Sequence, residues 1–499
     1  MRSITHIPAS GLYLTAGLAA LLAACSPPAP TTSPASNASP GNDAQVATLE
    51  LSYDKPAIVG TAVQATAGSL PSGKTVELTW GTVKGGWVIE DYYHFRGKKY
   101  SETTTSLGQF PVDANGRLSA RFTIPEDYGG VHEVIALIDG KPVAQNGVNV
   151  TQSFTMSPLS GPVGTPVELK VTGFGWRTME STWVVNWDNN ELGFVTAAGT
   201  GGSAVARFRA TGPVGDHVVK LLTGYQGLGY LNYEQSPVAA LPRPQFTFRT
   251  MPGGVTSAAF AEPYQPQPTP KAEQIAGAEL RVTPTQGPVG TRVVLRGEGF
   301  KPDAPMRIVW ETYVGSRVSG EGFTPDEHEI GQTKVDPDGR INWPLTIPED
   351  LGGLHEVSLR SGEELAARAY FVIETSIVEM TPKSGPAGTP VSIHLKGVGW
   401  TEYDNIYVAT YDNAYMGYAC GFNSQGDVVI NFTATGEPGP HLIDLYPGIY
   451  QGPPTELQQL YRLPQLTYAD DHPGNKIPAL RFTFNVTSST ERRTTSTRN

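Results

Sequence analysis

The stretch that decides the fold is SGPVGTPV at positions 160–167, which returns almost unchanged as SGPAGTPV at positions 384–391. A third copy, GPVGT at 287–291, leads into the alternating run RVVLRGEGF at 292–300, and a degenerate copy, PAIVGT, occupies 56–61. Gly and Pro mark turns, and alternation of apolar with polar residues indicates a half-buried strand. Each copy therefore predicts a turn followed by a β-strand.

A longer repeat shows that the chain is duplicated. IPEDYGGVHEV at 124–134 recurs 223 positions later as IPEDLGGLHEV at 347–357, and the same offset relates VDANGR at 112–117 to VDPDGR at 335–340. Repetition at a fixed offset is the mark of a repeat architecture. The Asp-x-x-Gly segments lie between strand-like runs, where Gly supplies a positive φ, so they are predicted to be hairpin turns.

These repeats predict an all-β fold of tandem immunoglobulin-like β-sandwich modules, arranged as two duplicated pairs. Each module has about 100 residues, the size of such a sandwich. No long amphipathic helix is evident. The predicted order is module A at 46–152, module B at 153–250, a Pro-rich linker at 251–277, module A′ at 278–374, module B′ at 375–487 and a disordered tail at 488–499.

The motifs also carry a family resemblance. Openings of the form Ser-Gly-Pro-x-Gly-Thr-x-Val, alternation into Gly-x-Gly-Phe or Gly-x-Gly-Trp, Asp-x-x-Gly before a strand, and Gly-x-His-x-Val resemble the TIG/IPT-type and related immunoglobulin-like repeats of bacterial surface proteins. The resemblance covers all four modules, although the first opening is degenerate. It implies a stalk, an adhesive module or a domain accessory to an enzyme.

The N-terminus predicts export and membrane attachment. Residues 1–24 hold a positive Arg2 and a short apolar stretch, GLYLTAGLAALLAA at 11–24, which is typical of a signal peptide. Leu22-Ala23-Ala24-Cys25 resembles the lipobox of bacterial lipoproteins, which implies lipidation of Cys25 after cleavage; an ordinary secretory peptide is the alternative. Residues 25–45 predict a flexible tether. Ser26 after the cysteine favours an outer-membrane or cell-surface location.

Composition excludes some functions. The net charge of −11 has the wrong sign for a protein that neutralises phosphates, so nucleic acid is an unexpected partner. The apolar residues occur in short runs, which excludes a polytopic membrane protein. Cys420 is the one cysteine besides Cys25, so no intrachain disulfide remains after lipidation. Alternation predicts that Cys420 is a buried, inert thiol.

Two segments match functional motifs but are better explained as structural elements. GSLPSGKT at 68–75 fits a phosphate-binding loop, but the following VELTW alternates as a strand where that loop requires a helix. His132-Glu133 and His355-Glu356 resemble the start of a zinc motif, yet the second histidine is missing. We expect no nucleotide site, and histidines that cap turns or flank core strands.

A weak metal candidate remains. Asp326, Glu327, His328 and Glu329 form an acidic stretch, predicted to be loop-like, where a hard cation could find oxygen ligands. A solvated acidic loop is the favoured interpretation. The Asp113 and Asp336 turns lack the downstream Glu of a calcium loop. We therefore predict no metal and no cofactor.

The most suggestive feature is a cluster of aromatic residues in module A. Trp87, Tyr92, Tyr93 and Tyr100 lie in a stretch much richer in rings than its counterpart in module A′. Aromatic rings near carboxylates suit a sugar face or a protein groove. These four residues are the candidate binding site. The favoured interpretation is packing, with Trp87, Ile89, Tyr93 and Phe95 in a core and Tyr92 outside it.

The sequence as a whole predicts a non-catalytic, lipid-anchored surface protein that binds or presents through its modules. It would act by presenting its modules away from the membrane, by means of a tether, two rigid pairs of modules and a linker. The expected partners are the membrane and a cell-envelope glycan or protein. Two alternatives stay open. One is a secreted hydrolase or its accessory subunit, with Asp326, Glu327 and His328 as candidate groups; the other is a stalk without a ligand.

Overall fold

The computed structural model describes residues 46–90, 94–225, 228–235, 241–255, 262, 264–265, 269–270, 275, 277–316, 322–421, 424–449, 463–474 and 476–488. Cys25, the tether, Tyr92 and Tyr93 lie outside these residues, so lipidation and the two tyrosines stay predictions. Within the described residues no helix is long and apolar enough to cross a bilayer. A single turn of 3-10 helix, Tyr233–Gln235, is the one helical element of that part of the chain.

The strands run in chain order through the predicted modules. Module A contains β1 (Ala47–Thr48), β2 (Glu50–Ser52), β3 (Ala62–Ala67), β4 (Thr75–Glu90), β5 (His94–Pro111), β6 (Leu118–Thr123), β7 (Gly130–Ile138) and β8 (Lys141–Val150). Module B contains β9 (Ser153–Ser157), β10 (Ser160–Gly161), β11 (Pro166–Thr172), β12 (Trp183–Trp187), β13 (Asn190–Val195), β14 (Ala204–Arg209), β15 (Gly215–Tyr225), β16 (Leu228–Gly229) and β17 (Gln245–Thr250).

The second half repeats this order. Module A′ contains β18 (Glu279–Thr283), β19 (Gln286–Pro288), β20 (Arg292–Glu298), β21 (Pro305–Ser316), β22 (Gly322–Lys334), β23 (Ile341–Thr346), β24 (Gly353–Ser361) and β25 (Glu364–Glu374). Module B′ contains β26 (Ser376–Thr381), β27 (Ser384–Pro386), β28 (Pro390–Lys396), β29 (Ile406–Tyr411), β30 (Ala414–Cys420), β31 (Val428–Thr433), β32 (Gly439–Gly448) and β33 (Leu480–Thr487).

In each module a three-stranded sheet faces a larger one. Module A pairs β2-β3-β6 with β1-β8-β7-β4-β5, and module A′ pairs β18-β20-β23 with β19-β25-β24-β21-β22. Module B pairs β14-β11-β9 with β10-β17-β15-β12-β13, and module B′ pairs β26-β28-β31 with β27-β33-β32-β29-β30. Two antiparallel sheets that share one core form an immunoglobulin-like sandwich. The all-β prediction is confirmed, while the module boundaries stay predictions.

The repeated opening is a turn that carries the chain from one sheet to the other. Gly164 has a φ of 85°, which favours glycine. The Thr165 hydroxyl donates to the carbonyl of Pro162 at 2.7 Å. A Cβ at Gly161 would lie 2.3 Å from Oγ1 of Thr165, so only glycine fits there. The motif is therefore conserved between the two halves for geometric reasons.

The Asp-x-x-Gly turns differ from the hairpins that were predicted. Asp113 Oδ1 accepts hydrogen bonds from the backbone N–H groups of Asn115 and Arg117, and Gly116 has a φ of 73°. The flanking strands β5 and β6 belong to different sheets and meet in one bridge, Val112 to Leu118. The turn therefore crosses between sheets, and its aspartate holds the loop closed.

Each sandwich has its own core of alternating residues. In module A this core includes Val76, Leu78 and Trp80, which are fully buried at every second position of β4. Such alternation places every second side chain inside the sandwich. Cys420 departs from its prediction, because it is a half-buried free thiol on β30.

Modules A and B are joined through the glycine pair of the longer repeat. The N–H of Gly129 donates to the carbonyl of Phe174 at 2.9 Å. A Cβ at Gly129 would lie 1.9 Å from the carbonyl oxygen of Gly173. Module A′ joins B′ in the same way, since Gly352 donates to Val398 at 3.0 Å. The Gly-Gly sequence thus permits a backbone-to-backbone contact between modules.

The two halves also pack against each other, through modules B and B′. Arg209 on β14 donates to Asp444 on β32, with Nη2 and Oδ1 2.5 Å apart, and both side chains are buried. Arg481 on β33 lies 3.1 Å from the same carboxylate. Leu466 and Tyr468 of module B′ belong to the core cluster of module B. The halves are therefore not joined by the linker alone, as the presentation mechanism assumed.

The edge of module B is covered by a segment of module B′. Phe194 on β13 donates its N–H to Pro464 at 2.8 Å and accepts from the N–H of Leu466 at 2.9 Å. A Cβ at Gly193 would lie 2.4 Å from the carbonyl oxygen of Pro464. Covering an edge strand removes a site of unwanted strand pairing. From the predicted linker, Tyr264 accepts a hydrogen bond from the N–H of Thr375.

Candidate binding groove between modules A and B

The aromatic stretch predicted as a binding site lies at a junction of three modules. Trp87, near the end of β4, is half-buried and donates from Nε1 to Asp471 of module B′ at 3.0 Å. Asp471 also accepts from the N–H groups of Ala198 and Gly199 of module B at 2.7 and 2.6 Å. Burial raises the pKa of this carboxyl, against the effect of its donors. Trp87 therefore helps to hold the junction together.

Phe95 and Tyr100 extend this junction along β5. Phe95 is fully buried in a cluster with Phe194 of module B and Ile449 of module B′. Its N–H donates to Glu402 of module B′ at 2.7 Å. Tyr100 contacts Tyr128 edge-to-face, with ring centroids 5.6 Å apart. Trp87 and Phe95 thus pack between modules, whereas the ring contact of Tyr100 with Tyr128 lies within module A.

The acidic stretch of module A′ is a strand and not a loop. Asp326, Glu327, His328 and Glu329 lie on β22, exposed, in register with β21. Glu327 pairs with Arg360, and Glu329 with Arg307 at 3.7 Å, while His328 lies 3.4 Å from Asp326. Successive side chains of a strand point to opposite faces, so these groups diverge. Within the described residues no three such side chains cluster as a metal site.

The remaining motif matches have structural roles. The 68–74 segment is a turn between β3 and β4, in which the N–H of Leu70 donates to Gly116 at 2.9 Å and that of Gly73 to Val112 at 3.3 Å. His132 is buried and stacks on Trp80, with ring centroids 4.4 Å apart. Its two ring nitrogens each lie 2.8 Å from a carbonyl oxygen, those of Gly81 and Tyr128. His355 has the same surroundings in module A′.

A groove opens on the outer face of the larger sheet of module A, where module B is joined. We call it the A–B groove. Its volume is about 580 Å³, within the range of roughly 300–1,000 Å³ that is typical of ligand sites. Strands β4, β5 and β7 form the floor, through residues such as Gly81, Thr104 and Glu133. Trp176 and Arg177 of module B form the wall.

Trp176 is held in the wall by contacts with module A. Its ring contacts Tyr128 and His132 in T-shaped arrangements, with centroid separations of 6.4 and 5.4 Å. The guanidinium of Arg177, an exposed residue, lies over the ring at 5.4 Å from its centroid. These contacts fix the orientation of the indole in the wall. Trp176 is half-buried.

At the equivalent place in the second half of the chain, a side chain covers the tryptophan and closes the groove. Trp80 and Trp310 are equivalent, since each donates from Nε1 to an aspartate at 2.8 Å. The residues that follow are Gly81, Thr82 and Val83 in module A, but Glu311, Thr312 and Tyr313 in module A′. Tyr313 stacks on Trp400, the counterpart of Trp176, with centroids 3.6 Å apart.

Neither the backbone conformation nor the surroundings of Gly81 require a glycine at this position. It lies inside β4, and a Cβ added there would meet no atom closer than 3.5 Å. Its φ is not in the left-handed region. Glycine in a strand interior weakens the strand and often marks close approach by a ligand. Because Gly81 has no side chain, the space above it stays open.

The charge of the groove is mixed, with carboxylates in excess. Glu102 and Glu133 are exposed on the floor, and Arg177 is the cation of the wall. The carboxyl of Glu180 is buried near Trp176, since both lie within 3.7 Å of a Cβ built at Gly130. Burial raises the pKa of Glu180, while the charge of Arg177 acts in the opposite direction.

Neither Trp176 nor Gly81 is among the site residues that the sequence predicts. Trp176 belongs to a Gly-x-Gly-Trp motif, and Gly81 follows the alternating run VELTW. Aligning the two halves at Trp80 and Trp310 places Gly81 opposite Glu311 and Val83 opposite Tyr313. That alignment was the available signal. The segments from Gly60-Thr61 to Trp80 and from Gly290-Thr291 to Trp310 have equal length, whereas the segment from Trp80 to Val112 is longer than its counterpart in module A′.

Comparison with known proteins adds little. No protein-family model and no curated protein sequence matches the chain. Among solved structures, the chain is similar to invasin, a bacterial integrin-binding protein, at 11% identity over 88% of this chain and 79% of that one, with a TM-score of 0.17. It is also similar to the D0-D1 domain of intimin, at 12% identity over 42% and 97% of the two chains, with a TM-score of 0.15.

The chain is likewise similar to the D1-D4 ectodomain fragment of ICAM-5, at 12% identity over 88% of this chain and 99% of that one, with a TM-score of 0.16. These scores are too low to carry an argument. The protein is classed by its own sheets as a tandem immunoglobulin-like β-sandwich protein. The narrower resemblance to TIG/IPT-type repeats stays a prediction.

Proposed function

We propose that this protein is a non-catalytic binding protein of the cell envelope and that its binding site is the A–B groove. One observation carries the proposal. Two modules with the same fold and the same joining contacts differ where module A has Gly81 and Val83 and module A′ has Glu311 and Tyr313. The first pair leaves a groove of about 580 Å³ beside Trp176, whereas Tyr313 covers Trp400 in the second.

The rigid setting of the groove supports a binding role. Its wall and floor belong to different modules, so the groove depends on how modules A and B are joined. Tyr128 donates its hydroxyl to Ala198 of module B at 2.6 Å, and Lys98 donates to the hydroxyl of Thr182 at 2.8 Å. A site that is held open before its ligand arrives loses less entropy on binding.

Attachment to the membrane is the second part of the proposal. Leu22-Ala23-Ala24-Cys25 supports a lipid on Cys25, followed by a tether at 25–45 that holds the folded part off the membrane. The test is Cys25→Ser in the full chain expressed in a bacterial host. We expect the variant to leave the membrane fraction and to lack the mass of the lipid. Retention at the membrane with an unchanged mass would refute the anchor.

The groove is tested by affinity capture from solubilised cell envelope, with the full chain tagged at its C-terminus. Trp176→Ala removes the wall, and Gly81→Glu restores the side chain found in module A′. Leu354→Ala is the control, since Leu354 is the counterpart of Val131, an exposed residue of the groove, in module A′. We expect one retained component to be lost in both groove variants and kept in the control. Identical capture by all four proteins would refute the groove.

A further inference from the structure

The A–B groove combines three kinds of surface that one ligand must satisfy. The wall is the indole of Trp176, the floor above Gly81 is flat, and the floor beside it carries the hydroxyl of Thr104, the residue paired with Gly81 across β4 and β5. Glu102 and Glu133 add carboxylate acceptors. No single side chain fills the space. The ligand must therefore be flat enough to reach Gly81 and polar enough to bond with the hydroxyl and the carboxylates.

We infer that the ligand is a glycan built of uncharged or amine-bearing sugars, and this inference rests on the proposed function. A pyranose has an apolar C–H face that packs on an aromatic ring and a rim of hydroxyls that both donate and accept hydrogen bonds. The wall at Trp176 matches the face. The hydroxyl of Thr104 and the carboxylates of Glu102 and Glu133 match the rim, since carboxylates accept strong hydrogen bonds.

The charges of the groove select among glycans. A polyanion such as a uronic acid polymer or a phosphate-bearing chain would meet the two carboxylates of Glu102 and Glu133, against the single cation of Arg177. Like charges that are brought together out of water are costly. Arg177 already places a guanidinium 5.4 Å from the centroid of Trp176. An amine on the sugar is instead compatible with the carboxylates of Glu102 and Glu133, which accept charge-assisted hydrogen bonds.

A peptide is the competing ligand, and the position of the groove argues against it. Peptides commonly bind sheets by adding a strand to an exposed edge, with pockets for alternate side chains. The edge strand beside the groove is β5, and β1 is the other edge of this sheet. The groove instead lies across the sheet face over β7, β4 and β5, and its lining is richer in hydroxyls and carboxylates than in apolar side chains. Val131 is the one exposed aliphatic residue among those that line it.

The direct test is calorimetric titration of the full chain in detergent with three defined probes. These are chitohexaose and hexameric glucosamine, which represent uncharged and amine-bearing sugars, and hexameric galacturonate as the anionic control. We expect binding of at least one of the first two and none of galacturonate. Trp176→Ala and Gly81→Glu should each weaken it by about tenfold or more, and Leu354→Ala should leave it unchanged.

The capture experiment separates failure of this inference from failure of the proposed function. The envelope extract is divided and treated with glycoside hydrolases, which cleave the glycosidic bonds of glycans, or with protease. Groove-dependent capture that is lost after the glycoside hydrolases and kept after protease supports the glycan. Groove-dependent capture that is lost after protease and kept after the glycoside hydrolases overturns the glycan and leaves the groove as a peptide site. Capture that is unchanged by Trp176→Ala and by Gly81→Glu overturns both proposals. Sugar binding that neither variant weakens also overturns both.

Discussion

The ring of Tyr313 stacks on that of Trp400, with centroids 3.6 Å apart and an interplanar angle of 14°. Trp400 is accordingly only 5% exposed. Its counterpart in module B, Trp176, is half-buried, because Val83 takes the place of Tyr313. A duplicated protein therefore contains both a closed and an open version of one junction. The closed version serves as an internal control for the open one.

The first prediction concerns this stack. Tyr313→Val should expose Trp400 and lower the free energy of unfolding by about 1–3 kcal/mol, since a stacked pair and its buried area are lost. The measurement is quenching of tryptophan fluorescence by iodide, together with urea unfolding. Trp400→Phe in the same background identifies the signal. The reverse change, Val83→Tyr, should reduce quenching of Trp176, and an increase there would contradict the equivalence of the two junctions.

The second prediction concerns the contact that joins modules A and B. Gly129→Ala places a Cβ 1.9 Å from the carbonyl oxygen of Gly173. No rotamer can relieve this clash, because the backbone fixes the position of Cβ. The free energy of unfolding should fall by about 1–3 kcal/mol. Gly81→Ala is the matched control, because its nearest neighbours are 3.5 Å away. It should be neutral or stabilising by about 0.5–1 kcal/mol. Equal effects of the two variants in denaturant unfolding would refute this account of the glycines.

The third prediction concerns the buried ion pair between the halves. Arg209→Met leaves Asp444 buried with Arg481 as its one remaining cation, and should cost about 3–5 kcal/mol of unfolding free energy. Replacing all three charges, with Asp444→Leu and Arg481→Met added, should recover most of that loss, because apolar residues of similar volume satisfy a buried site. Denaturant unfolding measures both. A triple variant less stable than the single one would show that the ion pair itself stabilises the interface.

Repetition in the sequence was enough to predict an all-β chain and the turn-to-strand character of its motifs. The packing of module B on module B′ could not be predicted, because Arg209 and Asp444 are 235 residues apart and nothing local links them. The Asp113 turn was taken for a hairpin, since alternation does not show that β5 and β6 belong to different sheets. The acidic stretch at 326–329 looked like a loop, because exposed polar residues occupy both faces of β22.

The fourth prediction is a pH dependence at Lys98. Burial lowers the pKa of its ammonium to about 7, although Asp471 acts in the opposite direction. In the unfolded chain the pKa is about 10.4. Between these values the unfolded state binds more protons, so the contribution of Lys98 to stability rises with pH, and below about 7 it is constant. The unfolding free energy of the wild type relative to Lys98→Met should therefore increase from pH 7 to pH 10. A difference that stays flat from pH 7 to pH 10 would contradict this assignment.

The last prediction separates the two tryptophans that could be a binding platform. Trp87→Ala removes a ring from the three-module junction and takes a donor away from Asp471, which is 2% exposed. It should lower the free energy of unfolding by about 2–4 kcal/mol. Trp87→Phe keeps the ring and loses only the donor, so its cost should be smaller. Trp176→Ala acts at a half-buried position of the groove wall and should cost about 1 kcal/mol or less, yet abolish groove-dependent capture. If Trp87→Ala were as stable as the wild type and lost the captured component, the binding surface would lie at the aromatic stretch of module A and not in the A–B groove.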